Sequence, residues 1–303
     1  MSRPVYLLLV LLFCLTWSSA FPTAKLAIST APPLLFLGLR FLLAAGILLG
    51  WAAWRGELAR ERSGGPIPWL ALLGLGLLNQ AGYQGLTWIA MGSVSAGLAT
   101  IITSLNPIMV GAFALPLLGE PLTPRKLAGL VLGFLGAAFV VRNRVVLAGE
   151  DVDGILLLFA GMVSVTFGTL LFKRLAPRAA LPVIVGVQQL GAAIAVLGVG
   201  LATEPVAAVH VNALFLFCMG WFVLVVSIGA FLLWFLLLRR GTASSASSLH
   251  FLMPPLGLLM SWAMLGEKLE ILDLVGIVPV ALGIWLATSG PATPAPVTQR
   301  QPV

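Results

Sequence analysis

Residues 106–130 read NPIMVGAFALPLLGEPLTPRKLAGL, and residues 253–277 read MPPLGLLMSWAMLGEKLEILDLVGI. Set 147 residues apart, they superimpose Pro107 on Pro254, Gly119-Glu120 on Gly266-Glu267 and Gly129 on Gly276, and beyond them Gly136 on Gly283. A Gly-Glu pair alone says little, since it recurs at Gly56-Glu57 and Gly149-Glu150, but its spacing from a preceding proline and a following glycine is met only twice. The pattern points to an internal duplication.

Both copies lie in strongly apolar surroundings. Of 303 residues, 60% are hydrophobic and 9% charged, against roughly a quarter charged in soluble domains. With a mean hydropathy of +1.08, the chain is expected to have lipid as its main solvent. A helix needs roughly 20 residues to cross the hydrocarbon core. Ten runs of about that length are legible, at 4–25, 32–54, 69–90, 95–118, 124–141, 154–173, 182–202, 212–238, 242–265 and 269–287. The fold class expected is an all-α membrane protein of ten transmembrane helices. The 147-residue offset crosses five of these runs, and an odd number of crossings turns the second copy upside down. The division is then a first five-helix repeat at 1–147, a second at 148–289, and a disordered cytoplasmic tail at 290–303, rich in Pro, Thr and Gln. Inverted repeats of this kind are the usual frame of secondary transporters that bind near the midplane and open alternately to either side.

Charge sets the orientation. With the amino terminus inside, twelve Lys and Arg residues fall in cytoplasmic segments and four outside, which places both termini in the cytoplasm. The net charge of +7 is scattered between apolar runs and does not form a basic face, so nucleic acid is not an expected partner. Trp17-Ser18-Ser19-Ala20 has the small residues of a signal-peptide cleavage site, but the apolar run continues through Phe21 and Pro22, so a retained span is expected. Cys14 and Cys218 lie inside apolar runs and read as small buried hydrophobes.

At this point the residues resemble a known family, the drug/metabolite transporters of the ten-helix EamA type, which includes the YddG-like amino-acid exporters. The likeness rests on Trp17 and Lys25 in the first run, Arg40-Phe41 in the second, and the doubled signature of proline, Gly-Glu and glycine. It implies export of small metabolites or amino acids through a central cavity lined by the first four helices of each half, with the fifth and tenth helices peripheral. It fixes no substrate.

The residues themselves offer no phosphate loop of the form G-x-x-x-x-G-K-[ST], no H-E-x-x-H and only two histidines, so neither an enzyme, a metal site nor a cofactor is expected. Every carboxylate falls in a loop or at a helix end, which leaves His250 as the titratable group near the midplane whose charge depends on its surroundings. Proton coupling through it and a plain lining role both stay open, and the absence of an acidic relay favours facilitated diffusion or exchange. Arg40, about 12 Å inside the second run, reads either as a contact for a substrate carboxylate or as an anchor to backbone carbonyls. In the third run Gln80, Gln84 and Thr87 follow helical spacing, and Asn79 and Tyr83 widen that stripe enough for a cavity. Thr100 and Thr103 in the fourth run, and Ser247 and Ser248 in the ninth, accompany the small residues of a gate. Pro107 and Pro254 are its hinges, kinking both helices near mid-membrane. Trp17 and Trp221 sit inside their runs and suit an aromatic wall. Gly129 and Gly133 mark close helix packing or a dimer contact. Glu120 and Glu267 are expected to accept hydrogen bonds from the first turn of the next helix.

The sequence thus favours a transporter of amino acids or related small metabolites in a bacterial inner membrane, monomeric or homodimeric. A broad drug or cation exporter of the same fold, or a non-transporting sensor or assembly protein, are the other readings.

Overall fold

A computed structural model describes residues 3–58, 68–103, 105–119, 123–240, 253–268 and 271–288. Backbone groups facing lipid must be bonded within their own segment, and the described residues accordingly form helices and the turns between them, with no strand. In chain order these are α1 (Arg3–Ser18), α2 (Ala20–Ile28), α3 (Pro33–Trp54), α4 (Trp69–Gly76), α5 (Tyr83–Ala90), α6 (Ala96–Thr103), α7 (Asn106–Leu118), α8 (Pro124–Ala148) and α9 (Val152–Leu175). The chain continues with α10 (Leu181–Thr203), α11 (Ala213–Gly220), α12 (Phe231–Arg240), α13 (Met253–Leu265) and α14 (Ile271–Thr288). Wider π-helical segments join α4 to α5 (Leu77–Gly82) and α11 to α12 (Trp221–Ala230). Among the described residues six segments are long and apolar enough to cross a membrane: Leu8–Ile28, Pro33–Trp54, Ala96–Leu118, Val152–Leu175, Leu181–Thr203 and Ala213–Arg240.

Local chemistry sets the helix ends. Thr123, Asp151 and Asn212 each accept from the backbone N–H three residues on, at 3.2, 2.9 and 2.8 Å, supplying bonds the first turn lacks. The glycines of all four Gly-Glu pairs, Gly56, Gly119, Gly149 and Gly266, have φ between 66° and 68°, a left-handed conformation that terminates the preceding helix and that only glycine adopts without strain. α8 runs to Ala148, seven residues past the membrane run expected to end at 141, because no such glycine intervenes before Gly149. The helical path through residues 96–118 is interrupted just before Pro107, which occupies the first turn of α7, where a missing N–H costs least.

Around an apolar core the exterior is also apolar, and a set of polar side chains is enclosed. Leu42, Leu43, Ile47 and Trp51 of α3 and Leu156, Val163 and Phe167 of α9 are exposed, whereas Arg40, Asn79, Gln80, Gln84, Gln188, Gln189 and Ser227 are buried. The most extensive contacts join α3 with α10 and α8 with α14; α5 packs on α9, α6 on α13, and α3 and α1 on the Trp221–Ala230 segment. Close approach of α14 to α8 depends on Gly283, where a Cβ would lie 2.5 Å from the Gly129 carbonyl oxygen and 2.7 Å from the Gly133 nitrogen. The reading of Gly129 and Gly133 as packing residues therefore holds inside one chain.

Candidate functional site

Three helical segments meet around a central cavity of about 30 Å³. Trp17 and Phe21 come from the first 28 residues, Tyr83, Gln84, Thr87 and Trp88 from α5, and Phe222 and Val226 from the π-helical segment. That volume holds about two water molecules, far below the few hundred Å³ of a small-molecule site. The walls are mainly aromatic. Trp88 meets Phe222 edge-on at 5.0 Å and stacks on Phe36 at 5.5 Å, while Trp17 meets Phe231 at 5.1 Å. Polar character comes from the Gln84 amide and from Tyr83, whose hydroxyl is hydrogen-bonded to the side chains of Trp17 and Thr103.

Behind the Gln84 wall lies a buried polar belt. Arg40 Nε donates to Ser227 Oγ at 3.0 Å, and its Nη2 donates to Gln84 Oε1. Its guanidinium carbon lies 4.4 Å from the Phe222 ring centre, 4.9 Å from Phe41 and 5.6 Å from Trp88, within cation–π range of all three. Gln189 Nε2 donates to the Ser227 carbonyl, Asn79 Nδ2 donates to Gln188 Oε1 at 3.1 Å, and Ser164 Oγ donates to the Leu78 carbonyl at 2.8 Å. The last bond and the one from Gln189 end on π-helical segments, where widened hydrogen-bonding frees a carbonyl and another helix supplies the donor. Displaced by the repeat offset of 147, Leu77–Gly82 falls within Trp221–Ala230, so both unusual segments occupy matching places.

The structure brings Trp17, Tyr83 and Gln84 to the cavity and Thr103 against Tyr83. Asn79 and Gln80 are buried but do not line it; Asn79 is engaged with Gln188, and neither side-chain atom of Gln80 finds a partner among the described residues. Thr100 Oγ1 returns its proton to the Ala96 carbonyl at 2.8 Å. Trp221 faces a separate apolar groove of about 370 Å³ with Leu15, Thr16, Thr23, Phe217, Met260 and Met264, and its Nε1 donates to Ser19 Oγ at 3.1 Å. Pro107 opens α7 and Pro254 lies in the first turn of α13. Ser247, Ser248, His250 and Glu120 lie outside the described residues.

The members of this belt in the seventh and eighth runs, Gln188-Gln189 and Arg40's partner Ser227, escaped the sequence reading. The signal available was an adjacent pair of amides in the middle of an otherwise apolar run, the same kind that marks Asn79-Gln80.

Carboxylates tie helix ends together on one face. Glu267 accepts from the Ala96 and Gly97 backbone N–H groups, both at 3.0 Å, and Glu204 accepts from Leu34 at 2.9 Å and Leu35 at 2.8 Å. The partner that the structure shows for Glu267 is α6, in the other half of the chain. A glutamate side chain can reach any nearby helix start, and packing of α13 on α6 brings that one into range. Glu150 accepts from Ser95 at 2.9 Å, and the charges of Glu267 and Glu150 both act on Lys25. Nearby, the Gly154 N–H and the Ser93 hydroxyl hold the Asp151 carboxyl below its ordinary range.

The comparisons agree with this geometry. The model described as the EamA-like transporter family matches residues 4–142 and again residues 152–289. The chain is 30% identical to "Uncharacterized transporter YvbV" of Bacillus subtilis, covering 93% of this chain and 91% of that protein. It is 26% identical to a "Probable amino-acid metabolite efflux pump" of Escherichia coli, covering 93% and 94%. A solved crystal structure with 24% identity superimposes with a TM-score of 0.72 over 95% of this chain and 99% of that one, which speaks for the fold. With the family model matched across nearly its whole length in two copies, the chain belongs to the EamA-like transporter family and is a multi-pass membrane transporter.

Proposed function

We propose that this transporter exports amino acids or related small metabolites across the bacterial inner membrane by alternating access, using ten spans arranged as two inverted five-helix halves with both termini in the cytoplasm. The observation that carries the reading is the central cavity, built by Trp17, Tyr83, Gln84 and Thr87 of the first half and Phe222 and Val226 of the second. Amide, hydroxyl and aromatic groups without a carboxylate suit a zwitterion with a variable side chain. At about 30 Å³ the cavity is too small for such a solute, which fits a state closed around the site and requires movement for passage.

Paired contacts support the inverted halves. The third span packs on the sixth as the eighth packs on the first, the fourth pairs with the ninth, and the fifth with the tenth. The double match of the family model supports the same division, and the relative named as an amino-acid metabolite efflux pump supports the cargo. A buried arginine beside the cavity argues against cationic drugs as the main cargo.

Counterflow tests the proposal. Purified protein in liposomes loaded with unlabelled amino acids should accumulate a labelled member of the set without any imposed ion gradient. Silence across the whole panel from folded, inserted protein would sink the amino-acid reading.

A further inference from the structure

We propose that Arg40 and Gln84 form the receptor for a carboxylate on the transported solute, so that the cargo class is amino acids and other monocarboxylates and excludes the corresponding amines. The inference rests on the transport reading above and deepens it.

Arg40 is fully buried within a membrane-spanning helix. A guanidinium is always charged, and a buried charge is tolerated when it is neutralised or serves a ligand. Among the described residues Arg40 is bonded to neutral acceptors, the Ser227 hydroxyl and the Gln84 amide oxygen. Its Nη1 has no acceptor among the described residues, and neither has Gln84 Nε2. These two donors belong to side chains already hydrogen-bonded to each other, and Gln84 faces the cavity. Because Gln84 Oε1 accepts from Arg40, the amide orientation is fixed and its N–H bonds are directed elsewhere. One amide donor on the cavity wall and one cation directly behind it, both with unused bonding capacity, are the complement of a carboxylate.

The rings of Trp88 and Phe222 serve both places, lining the cavity and flanking the guanidinium. Their cation–π attraction partly compensates the charge while the site is closed, and they must shift for a solute to reach it.

Leucine is a suitable probe because Phe21, Met91 and Val226 give the cavity an apolar side. In counterflow with labelled leucine, 4-methylpentanoate, which keeps the carboxylate, should compete at least tenfold better than 3-methylbutylamine, which keeps the amine. Equal competition by the amine overturns the proposal. Gln84→Glu places a carboxylate beside Arg40 from within; its melting temperature in detergent should rise, and competition by 4-methylpentanoate should fall at least tenfold. A Gln84→Glu protein that still responds to the acid as the wild type does refutes the receptor. If counterflow is silent for every amino acid, ligand-induced melting shifts decide separately. Stabilisation of the wild type by 4-methylpentanoate, lost in Gln84→Glu, keeps the carboxylate site while amino-acid export fails, and the absence of any such shift removes both.

Discussion

Replacing Glu204 by glutamine removes a carboxylate that holds the start of α3 to the end of α10, the most extensive helix pair in the molecule. The carboxylate accepts two backbone N–H bonds, at 2.9 Å from Leu34 and 2.8 Å from Leu35. Hydrogen bonds to a charged group contribute about 1.5–3 kcal/mol each when buried. Glu204 is only partly buried, so solvent screening brings the pair nearer the lower end. Glutamine keeps one acceptor, turns an N–H donor toward the second backbone N–H, and gives up the favourable charge at a helix start, worth about 0.3–1 kcal/mol. The expected loss is about 2 kcal/mol, which for a chain of this size lowers the melting temperature by about 3 °C.

Thermal unfolding of purified protein in detergent, followed by tryptophan fluorescence, reads this directly. The internal control is Glu57, which the 147-residue offset superimposes on Glu204. Glu57 lies 3.9 Å from Arg55, its Oε2 has no hydrogen-bond partner among the described residues, and Glu57→Gln should change stability by no more than about 0.5 kcal/mol. If Glu204→Gln melts with the wild type, or both variants fall equally, the asymmetric carboxylate clamp does not hold α3 to α10.

Other outcomes follow from the same geometry. Gly283→Ala puts a methyl 2.5 Å from the Gly129 carbonyl oxygen, so α8 and α14 must separate; about 1–3 kcal/mol should be lost in thermal unfolding, and an unchanged melting temperature would show that the helices slide freely. Asp151 has a lowered folded pKa because Gly154 and Ser93 donate to it. Its contribution is therefore present above the unfolded carboxylate pKa and lost as pH falls through the lower folded value. Asp151→Asn should accordingly flatten the acid limb of stability against pH, and an identical acid limb would contradict the cap.

The sequence reading succeeds where one helix carries the information. Six of the apolar runs are span-length helices among the described residues, the glycines of the Gly-Glu pairs end helices, and Pro107, expected as a mid-membrane hinge, instead occupies the first turn of α7. It fails where two helices must be known together. Glu267 bonds to Ala96, 171 residues away, and no local pattern names that partner. The amide stripe of the third run fails for a different reason. Helical spacing groups Gln80 with Gln84 and Thr87, but the π-helical turn at Leu77–Gly82 adds a residue, and one residue rotates the following face by about 100°. Gln84 and Thr87 consequently face the cavity while Gln80 does not. Arg40 was visible as an anomaly, but its surroundings come from α3, α5 and the Trp221–Ala230 segment and assemble only on folding.

Access to the cavity from each side tests the account most directly. Thr87 lines it, donates to the Tyr83 carbonyl at 2.7 Å, and accepts replacement by a similarly sized cysteine once Cys14 and Cys218 are changed to alanine. Membrane-impermeant thiol reagents applied to sealed vesicles of either orientation should label Thr87→Cys from both faces, and the transported amino acid should slow labelling from each. Labelling from one face only, with no protection by any solute that the protein moves, would contradict a central site that opens alternately to both sides.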